Sequence, residues 1–185
     1  MLVNYLSPQK ALKFGQFCLA SACLLSFSAA ALDNDPAKGA LSSSEPVLDL
    51  RPGDEADICD DSKTQIRTLV NGVKAQGILV VEVYANDSKN FLETDGRLRR
   101  ARVAAEDGSQ EVCLDVPGPG IYAVASYHDQ DGDRKFDKKW NRMPDEPFAL
   151  SNNPKLKLRK PRFKEAAIET DDAGAQIVLN LRGTD

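Results

Sequence analysis

The densest chemistry in this 185-residue chain lies in the stretch HDQDGDRKFD, from His128 to Asp137. Asp129, Asp131, Asp133 and Asp137 form the pattern D-x-D-G-D-x-x-x-D. A calcium ion takes about six to eight oxygens at roughly 2.3–2.6 Å, and alternating carboxylates on a curled loop supply such a set. In a helix–loop–helix calcium loop the seventh position contributes a backbone carbonyl, and here that position is Lys135. Two residues depart from that pattern. Arg134 occupies the sixth position, where glycine normally permits the sharp turn, and Trp140 the twelfth, where a bidentate Glu is usual. Asp145 or Glu146 would have to swing in to replace that Glu. Four crowded carboxylates repel one another unless a cation or bulk water screens them. The expected cofactor is therefore structural Ca²⁺, and the competing expectation is a solvated acidic connector rich in turn formers.

His128 is the only imidazole in the chain. Beside Asp129 it is expected to organise the loop through hydrogen bonds. The alternative makes it the base of a hydrolytic enzyme working with carboxylates such as Asp129 or Asp137. No Ser or free Cys of recognisable context accompanies it, so a nucleophile–base pair does not assemble from the sequence. Trp140, Phe136 and Phe148 surround the acidic stretch. They are expected to pack the long connection from Asp137 to Pro154 onto the body of the domain, with Trp140 as a loop-organising residue; sugar stacking is their functional alternative.

The elements that must position these residues have a period of two. Thr64–Val70, Ile78–Tyr84 (ILVVEVY), Leu98–Ala105, Val112–Val116, Ile121–Tyr127, Phe163–Glu169 and Gln176–Leu181 each suit a strand. Val112, Leu114 and Val116 share one face of their strand while Cys113 points the other way. Asp107-Gly108 and Asp171-Asp172-Ala173-Gly174 are turn signals that predict two hairpins. Only Ser88–Thr94 offers a weak helix. About seven short strands without crossover helices predict an all-β fold, an antiparallel β-sandwich. With 42% hydrophobic residues the chain has the apolar content of one globular domain.

The first 31 residues carry Lys10 and Lys13, an apolar stretch Phe14–Phe27, and Ser28-Ala29-Ala30-Ala31. This is the order of a secretory signal peptide cleaved after Ala31; a retained anchor and lipidation at Cys23 are the alternatives. No later apolar run is long enough for a transmembrane span. Residues 32–57 are rich in Pro, Ser, Ala, Gly and Asp and are expected to be a flexible linker, which leaves residues 58–182 for the domain. Signal removal leaves Cys59 and Cys113, which an oxidising compartment favours as a disulfide contributing roughly 2–4 kcal/mol. The protein is thus expected to be exported, periplasmic or extracellular.

There are 24 Lys and Arg against 28 Asp and Glu, a formal net charge of −4. That balance and the exported location argue against nucleic acid as a partner. Basic residues nevertheless cluster in Arg97–Arg102 and Pro154–Lys164. Lys155, Lys157 and Arg159 would share one face of an extended segment. That face suits either protection of a sheet edge or docking of an anionic envelope component.

The stretch Gly118-x-Gly120-x-Tyr122-Ala123-Val124-Ala125, then His128-Asp129 and the acidic loop, resembles a secreted bacterial family, as do Met143-Pro144, Phe148–Asn153 and Pro161–Ala166. This is the family catalogued as domain of unknown function 2141. The resemblance covers roughly residues 58–182 and is most specific from Gly120 to Asn153. It implies an exported β-sandwich, loosely like immunoglobulin or transthyretin modules, with no established activity. Asp131 and Asp133 stand where the family commonly has Asn, which adds negative charge, and Arg134 stands where it commonly has Gly.

Overall fold

The computed structural model describes residues 48–141, 143–155, 157 and 159–183. The expected signal peptide, Cys23 and residues 32–47 of the expected linker lie outside the described residues. In chain order the strands are β1 (Gln65–Val73), β2 (Ile78–Ala85), β3 (Arg97–Ala104), β4 (Gly108–Asp115), β5 (Gly120–Asp129), β6 (Phe148–Leu150), β7 (Ala167–Thr170) and β8 (Ala175–Asn180). A single-turn helix, α1 (Phe163–Ala166), and a 3₁₀ turn, Thr94–Gly96, are the helical pieces among the described residues. No helix there is long and apolar enough to cross a membrane.

Two sheets form, in the orders β4-β1-β8 and β3-β2-β5-β6, with β7 also pairing β5. This is the expected all-β sandwich, with eight strands instead of seven. The pairings are antiparallel except β1 with β8, which run parallel. Ile66, Val70, Leu79, Val81, Val83, Val112, Leu114, Val124 and Leu179 fill the space between the sheets. Each such side chain contributes roughly 1.5–3 kcal/mol by leaving water. The alternation expected for β4 holds: Val112, Leu114 and Val116 join this core, and Cys113 forms a disulfide with Cys59, 5.3 Å away between Cα atoms.

β2 is buried along nearly its whole length because its sheet is covered on both faces, so its run of apolar residues is continuous rather than alternating. The outer face carries two further apolar groups. One gathers Tyr84, Phe91, Leu150, Phe163 and Ala166. The other gathers Ile78, Val80 and Tyr127 with Leu48, Phe136 and Phe148 packed on them.

Four expectations are corrected here. The turns at Asp107-Gly108 and Asp171–Gly174 do not close hairpins: β3 and β4 lie in different sheets, as do β7 and β8. Turn residues reverse the chain but do not choose a partner; burial does. At the second turn Gly174, with φ +86°, presses so closely on Gln65 that a Cβ would sit 2.0 Å from the Gln65 carbonyl oxygen. That contact lets β8 leave β7 and run beside β1. The sequential hairpins are instead β2–β3 and β5–β6, whose long connections cross the outer face. The predicted strand Phe163–Glu169 begins as α1, whose Phe163 and Ala166 are buried on that face, and Ser88–Thr94 forms turns rather than a helix.

Finally, the linker assigned to 32–57 ends earlier. From Leu48 the chain lies on the domain: Arg102 N–H donates to Asp54 O at 2.6 Å and Asp57 N–H to Cys113 O at 2.9 Å. Composition missed this because ion pairs and backbone hydrogen bonds hold the segment, with only Leu48 and Ala56 as apolar contacts on the cores.

Candidate metal centre

β5 delivers the acidic loop. Its last residues, His128 and Asp129, are both wholly buried, and the chain then leaves the sheet on the way to β6. The loop winds around Asp129. Gly132 N–H donates to Asp129 Oδ1 at 2.7 Å and Arg134 N–H to Oδ2 at 2.8 Å. Asp133 N–H donates to Asp131 Oδ1 at 3.2 Å, and Lys135 N–H to Asp133 Oδ1 at 2.8 Å. Gly132 and Arg134 both take left-handed backbone, at φ 72° and 71°. Arg134 thus makes the sharp turn usually given to glycine, at a cost on the order of 1–2 kcal/mol.

The side chain of Arg134 offsets that cost: its guanidinium bonds Asp54 and the Asp49 carbonyl. Asp54, 7% exposed, also receives Arg102 at 3.0 Å and Arg100 at 3.4 Å. The acidic loop and residues 48–57 are therefore fastened to each other.

Carboxylate oxygens of Asp129, Asp131 and Asp133 lie within 4.8 Å of one another. Burial pushes the Asp129 carboxyl up, backbone N–H donors pull it back, and Asp131 pushes it further up. Asp133 is held below its ordinary value by hydrogen bonds from Lys135, whose ammonium lies 2.6 Å away. Asp137 is not part of this trio. It sits at the return of the loop, where its N–H donates to Glu146 Oε2 at 3.3 Å. Glu146 is 7% exposed; burial pushes its carboxyl up to about 7, and the charges of Asp129 and Asp137 add to the shift. Of Asp145 and Glu146, the structure turns Glu146 inwards.

Trp140 is corrected: it is 96% exposed and packs nothing onto the sandwich. Phe136 does that work, 5.1 Å from the Tyr127 ring and 6.1 Å from the Phe148 ring between centroids. His128 contacts the Gln76 carbonyl through Nε2 at 2.7 Å. A carbonyl only accepts, so Nε2 carries the proton. Its backbone N–H donates to Pro147 O at 2.9 Å. The His128 backbone thus ties the start of the loop to its end, while the buried imidazole ties it to Gln76.

A family model described as "Uncharacterized protein conserved in bacteria (DUF2141)" matches residues 68–178, more than half of the chain. The chain belongs to this family. No curated protein and no solved structure gives a significant match. The DUF2141 match runs from within β1 to within β8 and contains the whole acidic loop. Asp54, which the loop's Arg134 grips, precedes it.

Sequence reasoning missed Asp54 and the arginines that converge on it. The signal was there as the Arg97–Arg102 run, whose members pair with Glu82, Asp57 and Asp54. The second basic run is also engaged. Lys157 and Arg159 both hold Glu165, at 3.0 and 2.6 Å, and Lys160 holds Glu93.

Proposed function

We propose that this DUF2141 protein is an exported, non-catalytic binding or structural module of the cell envelope whose acidic loop holds Ca²⁺ in a structural role. The observation that carries the reading is the convergence of Asp131 and Asp133 on the buried Asp129. Three carboxylates brought so close favour a hard cation with oxygen ligands. Asp129, Asp131 and Asp133 would be the ligands, with the Lys135 carbonyl and Asp137 completing the set. The ion would replace repulsion among carboxylates with attraction and stiffen the connection to β6. The Cys59–Cys113 disulfide supports the exported location, periplasmic or extracellular, because such bonds persist in oxidising compartments. An anionic envelope component meeting Lys155, Lys157 and Arg159 belongs to the same reading, and it would compete with Glu165 for two of the three.

Millimolar Ca²⁺ is expected to stabilise the protein by about 1–2 kcal/mol relative to chelator, for an affinity in the weak range of extracellular modules. Thermal melts read this as a rise of a few degrees, and Asp131→Ala should abolish it. Identical melting curves in calcium and chelator would remove the metal from the proposal.

In chelator, Glu146 sets a pH dependence. Its folded-state carboxyl titrates near 7, above the ordinary range of an unfolded chain, so the folded state binds the proton more tightly. Stability is then full below about pH 4 and falls as pH rises towards 7, by on the order of 1–3 kcal/mol. Glu146→Gln keeps the acceptor for Asp137 N–H and removes the charge. It is expected to flatten the urea-midpoint profile between pH 5 and pH 8, as read by denaturation at each pH; an unchanged slope would contradict the assignment.

A further inference from the structure

Along β3, on the outer face of the β3-β2-β5-β6 sheet, guanidiniums outnumber the buried carboxylates that they pair with. Four guanidiniums, of Arg97, Arg100, Arg102 and Arg134, share two buried carboxylates, Glu82 and Asp54. Arg97 takes Glu82 Oε1 at 2.7 Å and the Tyr84 hydroxyl donates to Oε2 at 2.5 Å. Arg102 and Arg134 take the two oxygens of Asp54. Asp49, a third and more exposed acid, pairs with Arg51 and lies 3.7 Å from Arg134 Nε.

Arg100 is left over. It stands opposite Glu82 in the register of β2 and β3, yet both Glu82 oxygens are taken. Its contact with an acid is the long 3.4 Å approach to Asp54 Oδ1, an oxygen that Arg102 already holds at 3.0 Å. The Nε atoms of Arg100 and of Arg102, the latter only 5% exposed, are buried and have no hydrogen-bond partner. Burial and the charges of Arg102 and Arg97 push the Arg100 guanidinium below its usual value. The Arg100 side chain is 26% exposed, so a ligand from solvent can reach it.

Arg100 and Glu82 share a row of the sheet with Ala125 and Leu150, which belong to the apolar group of Phe91 and Phe163.

We propose that Arg100, flanked by Arg97 and Arg102, anchors a binding site for a small free oxyanion of the phosphate type. A guanidinium offers a planar fork that matches two phosphate oxygens, and the anion's charge would offset the excess of the cluster. The site rests on the arginines of β3, with which Arg134 of the acidic loop shares Asp54, and the titration is run in chelator, so its failure and that of the calcium reading are separable.

The test is a titration of the full chain with inorganic phosphate in chelator at constant ionic strength, read by the arginine Nε–H resonances and by calorimetry. A saturable shift of the Arg100 resonance is expected, with Arg100→Gln weakening binding by about tenfold or more. Arg100→Lys should fall between, because it keeps the charge and loses the fork. Lys74→Gln, at an exposed ion pair with Asp107, should bind as the parent does. Shifts that follow ionic strength without saturating would overturn the site, as would undiminished binding by Arg100→Gln, or by Arg100→Lys should the Gln variant fail to fold. Loss in Lys157→Gln instead would move the anion to the 155–159 segment. Capture by phosphatidylglycerol vesicles without any response to free phosphate would also overturn a small-anion site.

Discussion

Replacing Asp54 with Ala is expected to destabilise the protein by about 3–5 kcal/mol, the cost of leaving a buried charge without its partner. The carboxylate is almost wholly enclosed and satisfies Arg102 and Arg134 directly and Arg100 at longer range. Burial opposes its ionisation, but the hydrogen bond from Arg134 and the charges of Arg102 and Arg100 more than compensate, and its pKa is lowered. Without it, Arg102 stays buried beside Arg100 with like charges facing each other, and Arg134 keeps its left-handed backbone with one anchor fewer. For a domain of this size the loss corresponds to a fall of roughly 10–20 °C in Tm. Asp49→Ala, at an exposed ion pair, is the control and should cost far less, because solvent screens such pairs. Urea denaturation of both variants checks the comparison. An Asp54→Ala midpoint close to that of Asp49→Ala would mean that segment 48–57 is not fastened as described.

The importance of Asp54 was not legible in the sequence, and the reason is physical. In the chain it sits among Pro, Gly and acidic residues, a composition that buries little apolar surface. Its partners are 46, 48 and 80 residues away, so no local period reveals them. Apolar alternation, by contrast, is a local property. The strands that became β1 to β5 and β8, and the inward face of β4, could be read directly because each records its own burial. The short β6 could not, since Phe148–Leu150 carries too few residues to show a period. Turn chemistry was half legible: Asp107-Gly108 and Asp171–Gly174 do reverse the chain, but the partner of each following strand is set by the sandwich as a whole.

At the acidic loop, residue types announced the chemistry and the fold selected among them. Asp129, Asp131 and Asp133 come together because they alternate on one tight turn. Asp137 and Glu146 meet instead where the loop returns, nine residues apart, which depends on the path of the connection. Trp140 illustrates the opposite error. A large aromatic beside a core is expected to be buried, but here Phe136 already occupies the position between Tyr127 and Phe148. The arginine at a glycine position is similarly a matter of long-range context, since its compensation lies in residues 49 and 54.

Gly77→Ala is expected to be the most damaging single-methyl change near the loop, costing about 2–5 kcal/mol. Two terms add. Gly77 has φ +70°, a backbone region that costs an L residue roughly 1–2 kcal/mol. A Cβ there would also lie 2.1 Å from the Asp129 carbonyl oxygen and 2.8 Å from the Gln130 carbonyl, and relieving such overlap by moving backbone costs about 1–3 kcal/mol. On the calcium reading the displaced group bears on metal binding as well as stability. Gln76 accepts from His128 through its carbonyl and donates to the Gln130 carbonyl through its side chain at 3.0 Å, so residues 76 and 77 together clamp the point where the loop leaves β5. Pushing Asp129 outwards should separate it from Asp131 and Asp133 and shrink the calcium-dependent rise in Tm as well as the Tm itself. Gly108→Ala isolates the first term, because Gly108 also has positive φ, at +99°, but has nothing within 4 Å of its would-be Cβ. Thermal melts of the two variants, each with calcium and with chelator, separate strain from close approach. Equal losses in both, with the calcium response of Gly77→Ala intact, would show that the contact between Gly77 and the loop does not hold Asp129 in place.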